Sequence, residues 1–141
     1  MAITFSTNID DFTLPDKEKT KRWLTAIIQD QGKRVGTIGY LFCDDESLLD
    51  ANQRYLNHDT YTDIITFDYV EGDLISGDIM ISIDRVVENA EKFGCTFSDE
   101  LHRVIAHGVL HLLGQGDKTE HEAAQMRKKE EEALSKWQEI K

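Results

Sequence analysis

A chain of 141 residues and 16.2 kDa fits a single domain spanning 1–141, long enough to bury roughly two-thirds of its unfolded surface without disulfides. Hydrophobic residues make up 40% and charged residues 30%, which excludes collagen-like, low-complexity and disordered chains and leaves a packed enzyme or binding domain. The net charge of -11 is opposite in sign to that of a nonspecific nucleic-acid binder, so any polyanion has to be met locally.

Most of that acidity lies in residues 59–100, with 11 acids against 2 bases, which reads as solvated faces that keep a small protein soluble or, more sharply, as a cation site. No apolar run approaches the ~20 residues of a membrane span, and the first residues lack the basic start and apolar stretch of a secretory signal, so a cytoplasmic protein is expected. Cys43 and Cys95 form no C-x-x-C pair and read as reduced structural thiols.

Ile3 to Thr7 alternates as a short strand, and Pro15 stands where a helix begins, ahead of Trp23, Leu24, Ile27 and Ile28 at helical spacing; Gly32 ends it. Val35 to Cys43 reads as a second strand, and Asp44, Asp45 and Glu46 favour the start of a short helix with Leu48, Ala51 and Tyr55 on one stripe. Thr62 to Tyr69 and Asp78 to Ser82 look like adjacent strands at a sheet edge, with Gly72, Asp73, Ser76 and Gly77 as the turn between them. Asp84 opens a helix closed by Gly94, and Ser98 is expected to cap the next one.

That next helix carries Leu101, Val104, Ile105, Val109, Leu110, Leu112 and Leu113, so it should be the central core helix. Thr119 and Glu122 have the spacing of a capping box and start a last helix that runs to the C-terminus. The order β-α-β-α-β-β-α-α-α, with no repeat and no linker, predicts one α+β domain in which helices cover a small mixed β-sheet.

His107 and His111 stand four residues apart on the core helix, which puts both imidazoles on one face, where they can grip one metal ion. Two histidines inside an apolar helix would be costly to bury without a shared partner. The run from His107 to Asp117 also matches the H-x-x-x-H-x-x-G-x-x-ligand spacing of metzincin-type zincins, with Asp in place of the third His, so this reads as a zincin-like metal helix. Gly114 lets the chain leave the helix in a left-handed turn, so Asp117 can complete a three-ligand set; His121, in the first turn of the last helix, is the rival third ligand.

Two imidazoles and a carboxylate suit one zinc or similar first-row ion and leave the fourth position open, as in catalytic sites. Gly108 occupies the position that H-E-x-x-H proteases give to their glutamate base, which disfavours peptide hydrolysis; phosphodiester cleavage at a metal needs less help from a dedicated base. His102, on the opposite face, and His58, in a polar stretch, read as ordinary histidines.

These residues resemble the YbeY family of bacterial metal-dependent endoribonucleases, which act in ribosomal RNA maturation. The resemblance rests on H-G-x-L-H-L-x-G at His107 to Gly114, on Thr62-Asp63-Ile64-Ile65-Thr66-Phe67, on Gly77-Asp78-Ile79, and on Asn52 with Tyr55. It implies a zinc-bound α+β fold, single-strand RNA cleavage, a role in maturing the 3′ end of small-subunit rRNA and in ribosome quality control, and the small subunit or its proteins as partners. Two positions depart from the family: Asp117 replaces a histidine, and Leu56 replaces an arginine that would clamp phosphate.

Arg54 points roughly 160° away from position 56 on a helix and is no simple substitute, which leaves His58 or Arg103 as phosphate contacts. Asp63 is expected either to orient a histidine ligand or to make a strand-end hydrogen bond, and Glu100 to be a helix-start charge. The reading is a metallohydrolase with zinc on His107, His111 and Asp117 that cleaves single-stranded RNA. The alternative is a ribosome-assembly binding factor whose structural metal is closed by a fourth ligand such as His121.

Overall fold

The computed structural model of the protein describes residues 2–56 and 62–140. In chain order the elements are β1 (Ala2–Thr7), α1 (Lys17–Asp30), β2 (Arg34–Cys43), α2 (Asp45–Leu56), β3 (Ile64–Asp68), β4 (Leu74–Ser82), α3 (Ile83–Phe93), α4 (Phe97–Leu112) and α5 (Glu120–Glu139). The expected order of elements is the observed one, and the fold is α+β.

The four strands form one mixed sheet in the order β1-β2-β4-β3. β1, β2 and β4 run parallel, which requires long crossovers, and β3 pairs antiparallel with β4 at the edge. Strand alternation then divides the side chains. Ile38, Tyr40, Phe42, Ile79 and Ile81 face the main core with Leu24 and Ile28 of α1 and Val104, Ile105 and Val109 of α4. Cys43 and Ile65 face the other way, under Leu48 and Ala51 of α2. The buried Tyr40 hydroxyl donates to the Ile105 carbonyl at 2.7 Å, which pins α4 to the middle of the sheet.

Three expectations are corrected. Ser76 and Gly77 lie inside β4, where Gly77 pairs with Asp68 and the Ser76 hydroxyl accepts the Thr37 amide at 3.1 Å; the turn is confined to residues around Gly72. Thr96, rather than Ser98, caps α4 by accepting the Asp99 amide at 3.0 Å, while the Ser98 hydroxyl lies 3.3 Å from His102 Nδ1 one turn on. Cys95 is exposed, so of the two cysteines Cys43 alone is a core thiol.

His102 belongs to an aromatic cluster that joins three helices. Its ring centroid lies 4.0 Å from Trp137 of α5 and 5.6 Å from Trp23 of α1, and the Trp23 indole donates to the Ala133 carbonyl at 2.7 Å. Burial holds the His102 pKa below the ordinary value of 6.5. The unfolded chain therefore takes up this proton first on acidification, so the contribution of His102 is complete above 6.5 and is lost as pH falls through the folded value. Urea melts between about pH 7 and pH 5 should show wild type losing more stability than His102→Phe. Identical losses in the two chains would contradict this origin.

Candidate metal centre

The centre is built from α4 outward. At Gly108 the helix presses against the sheet: a Cβ there would lie 2.9 Å from Ile79 Cδ1 and 3.2 Å from Ile64 Cδ1. The position that carries the base in H-E-x-x-H proteases is therefore filled by apolar sheet residues. His107 and His111 emerge half-buried beside this contact, with ring centroids 4.5 Å apart and planes at 83°.

Helix α4 ends in a Schellman motif. The Gln115 amide donates to the Leu110 carbonyl at 3.0 Å and the Gly114 amide to the His111 carbonyl at 2.9 Å, with Gly114 at φ 96°. The chain then doubles back and is tied to α5. The Gln115 side-chain amide donates to the Gly116 and Glu122 carbonyls at 2.9 and 3.2 Å, and Thr119 and Glu122 form the expected capping box. Asp117 is thereby aimed at the helix, its Oδ2 3.4 Å from both His107 Nε2 and His111 Nε2.

A separation of 3.4 Å is longer than the ~2.7–2.9 Å of a charge-assisted hydrogen bond. It agrees with the edge of a tetrahedron whose ligands lie ~2.0–2.1 Å from a central zinc, an edge of about 3.4 Å. The three donor atoms all lie within 4.8 Å of one another, and among the described residues the group has these three members. His121 does not join it: it is exposed in the first turn of α5. The residues present fit a three-ligand cation site.

Behind His107 runs a chain of buried charges. His107 Nδ1 lies 2.6 Å from Glu130 Oε2 of α5, and Glu130 Oε1 accepts from Arg103 NH1 at 3.1 Å. Arg103 also grips Glu100, with Nε donating to Oε1 at 2.9 Å and NH2 to Oε2. Glu100 is only 2% exposed and Glu130 only 4%. Burial raises the Glu130 pKa, but the His107 hydrogen bond and the Arg103 charge outweigh it and leave the carboxyl below its ordinary range.

This arrangement bears on three of the expected residues. Arg103, expected as a phosphate contact, donates to two carboxylates, those of Glu100 and Glu130. Glu100 lies in the first turn of α4 as expected and is in addition a buried ion-pair partner of Arg103. The carboxylate in hydrogen-bond distance of His107 Nδ1 is that of Glu130, while the Asp63 backbone carbonyl accepts the Ser82 amide at 3.0 Å and its carboxyl lies near enough to His107 and Arg103 to feel their charge. Burial raises the Asp63 carboxyl pKa, and the nearby His107 and Arg103 pull it partly back.

Elsewhere, α2 continues through Leu56, and Arg54 pairs with Asp50 at 3.2 Å one turn back. His58 lies outside the described residues. Glu130 was missed from the sequence, although its spacing from Met126, Ala133 and Trp137 places it on the buried stripe of α5.

Comparison with known proteins places this geometry in context. The family model for Endoribonuclease YbeY matches residues 4–138. The Endoribonuclease YbeY of Bacteroides thetaiotaomicron is 49% identical over 137 residues, covering 96% of this chain and 98% of that protein. That of Porphyromonas gingivalis is 54% identical over 118 residues, covering 84% and 78% of the two chains. Among solved structures, the solution structure of TM1509 from Thermotoga maritima is similar at a TM-score of 0.67 and 28% identity, covering 98% of this chain and 93% of that one.

The packing at Gly108 gives a direct test. An alanine gains up to about 1 kcal/mol of helix propensity but overpacks Ile79 and Ile64 at a cost of about 1–3 kcal/mol. Urea denaturation should show Gly108→Ala less stable than wild type, by up to about 3 kcal/mol and typically about 1. An equally stable variant would mean that α4 can lift off the sheet freely.

Proposed function

The chain belongs to the YbeY endoribonuclease family and is an endoribonuclease; from that footing we propose that it hydrolyses single-stranded ribosomal RNA at a one-zinc centre on His107, His111 and Asp117. The observation that carries this reading is the single carboxylate oxygen held 3.4 Å from two imidazole nitrogens. When bound there, zinc supplies Lewis acidity toward a phosphoryl oxygen and makes solvent nucleophilic near neutral pH.

The chain's own residues do the rest. His107 and His111 offer Nε2 lone pairs from a helix anchored on the sheet, so the site is formed before substrate arrives. Asp117 contributes one negative charge, which favours the cation and moderates its Lewis acidity relative to a third imidazole. Asp63, Glu100, Asp117 and Glu130 surround the single guanidinium of Arg103 and the two imidazoles, a local charge balance that suits a cation. The three donors found among the described residues leave a position for substrate, which favours this reading over that of a closed structural metal.

The proposal extends to the setting: 3′ maturation of small-subunit rRNA, the small subunit or its proteins as partners, and the cytoplasm as the location. No helix among the described residues is long and apolar enough to cross a membrane. The test compares wild type with His111→Ala on a single-stranded fragment from the 3′ end of small-subunit rRNA, each checked for folding by circular dichroism and for bound zinc. Loss of a direct ligand should exceed the ~10–100-fold effect of losing an outer partner, so cleavage should fall more than about 100-fold while the variant stays folded and loses zinc. Equal cleavage by both chains would overturn the assignment.

A further inference from the structure

We propose that Glu130 is the positioning residue of the metal centre: it accepts the Nδ1 proton of His107 and so fixes that ring with Nε2 turned toward Asp117 and His111. The inference rests on the reading of His107 as a ligand and adds a residue from α5 to a centre otherwise built from α4 and the loop after it.

The geometry leaves each atom one role. Glu130 Oε2 is 2.6 Å from His107 Nδ1, and the opposite ring nitrogen, Nε2, is 3.4 Å from Asp117 Oδ2. An ionised carboxylate only accepts hydrogen bonds, so the neutral ring carries its proton on Nδ1 and keeps the Nε2 lone pair for the ion. The same bond keeps the imidazole from flipping, the usual effect of a carboxylate behind a metal-bound histidine.

Glu130 is itself held. Arg103 NH1 donates to its other oxygen at 3.1 Å, and Arg103 is clamped in turn by both oxygens of Glu100. Glu130 is 4% exposed and Glu100 2%, so neither carboxylate has a rival partner in bulk water. Arg103 thus acts on the centre through Glu130. The arrangement joins retention of the ion to the docking of α5, which is secured elsewhere by the Trp23 indole on the Ala133 carbonyl and by Lys136 against Asp30.

A carboxylate that merely glued α5 to α4 would contribute to stability without touching metal affinity, and the experiment separates the two roles. The first arm uses the intact metal-free chain above the histidine titration range. A long-range 1H–15N spectrum, with the His107 signals assigned by comparison with His107→Gln, should show the Nδ1-protonated ring; an Nε2-protonated ring or an even mixture overturns the proposal whether or not any variant folds. The second arm measures zinc affinity by competition with a chromophoric chelator.

Glu130→Ala should bind zinc about 10–100-fold more weakly than wild type. Glu130→Gln keeps one acceptor for Nδ1 but turns its amide NH2 toward the Arg103 guanidinium, so its affinity should fall between those of wild type and Glu130→Ala. Unchanged affinity in Glu130→Ala, with only a lowered melting temperature, would leave Glu130 a structural residue and overturn the proposal. Failure of wild type itself to bind zinc would strike the reading of the site, and the tautomer arm would still judge Glu130.

Discussion

Helix α4 has to bury Val104, Ile105 and Val109 against the sheet while holding two imidazoles within reach of an ion, and the rest of the molecule is arranged around that demand. Gly108 brings the helix close to Ile79 and Ile64, and the Tyr40 hydroxyl ties the Ile105 carbonyl to the middle of β2. Because protein interiors are close-packed and deform little, the two Nε2 atoms inherit their positions from this contact. The Schellman end of α4 then sets where the chain goes next, and the Thr119 capping box sets where it must arrive. Asp117, between the two, has its Oδ2 3.4 Å from both histidine Nε2 atoms.

The second half of the design lies behind the ligands. Buried carboxylates are costly unless paired, and Glu100, Arg103 and Glu130 satisfy one another across α4 and α5. Removing one member of such a group usually costs about 3–5 kcal/mol, because a buried charge is left uncompensated. His107 is the polar end of that network and also a member of the three-residue donor set, so packing, charge balance and the candidate cation site meet at one side chain. An acidic chain can in this way hold a cation at one site while its net charge of -11 remains mostly on solvated faces.

Much of this was legible from local pattern. The i, i+4 pair His107 and His111, the glycine that releases the chain, the aspartate three residues on and the capping box are all short-range features, and the sequence carries them in full. What escaped is long-range or overruled by packing. Glu130 lies 23 residues from His107, in the run Lys128-Lys129-Glu130-Glu131-Glu132 that looks like a solvated face; only the stripe of Met126, Ala133 and Trp137 betrays that it points inward. Ser76 and Gly77 carry turn chemistry, yet β4 runs through them because Ser76 accepts a bond from the Thr37 amide across the register shift in β2. The bond between Arg103 and Glu130 was hidden because the two residues come from different helices.

The central claim is that one ion is held by two imidazoles and one carboxylate with a position left for solvent or substrate. Zinc K-edge X-ray absorption on the stoichiometrically loaded protein tests it most directly. The account predicts nitrogen and oxygen scatterers alone, at about 2.0–2.1 Å, with outer-shell scattering from two imidazole rings. A sulfur neighbour near ~2.3 Å, or an outer shell that needs three imidazoles or none, would contradict it.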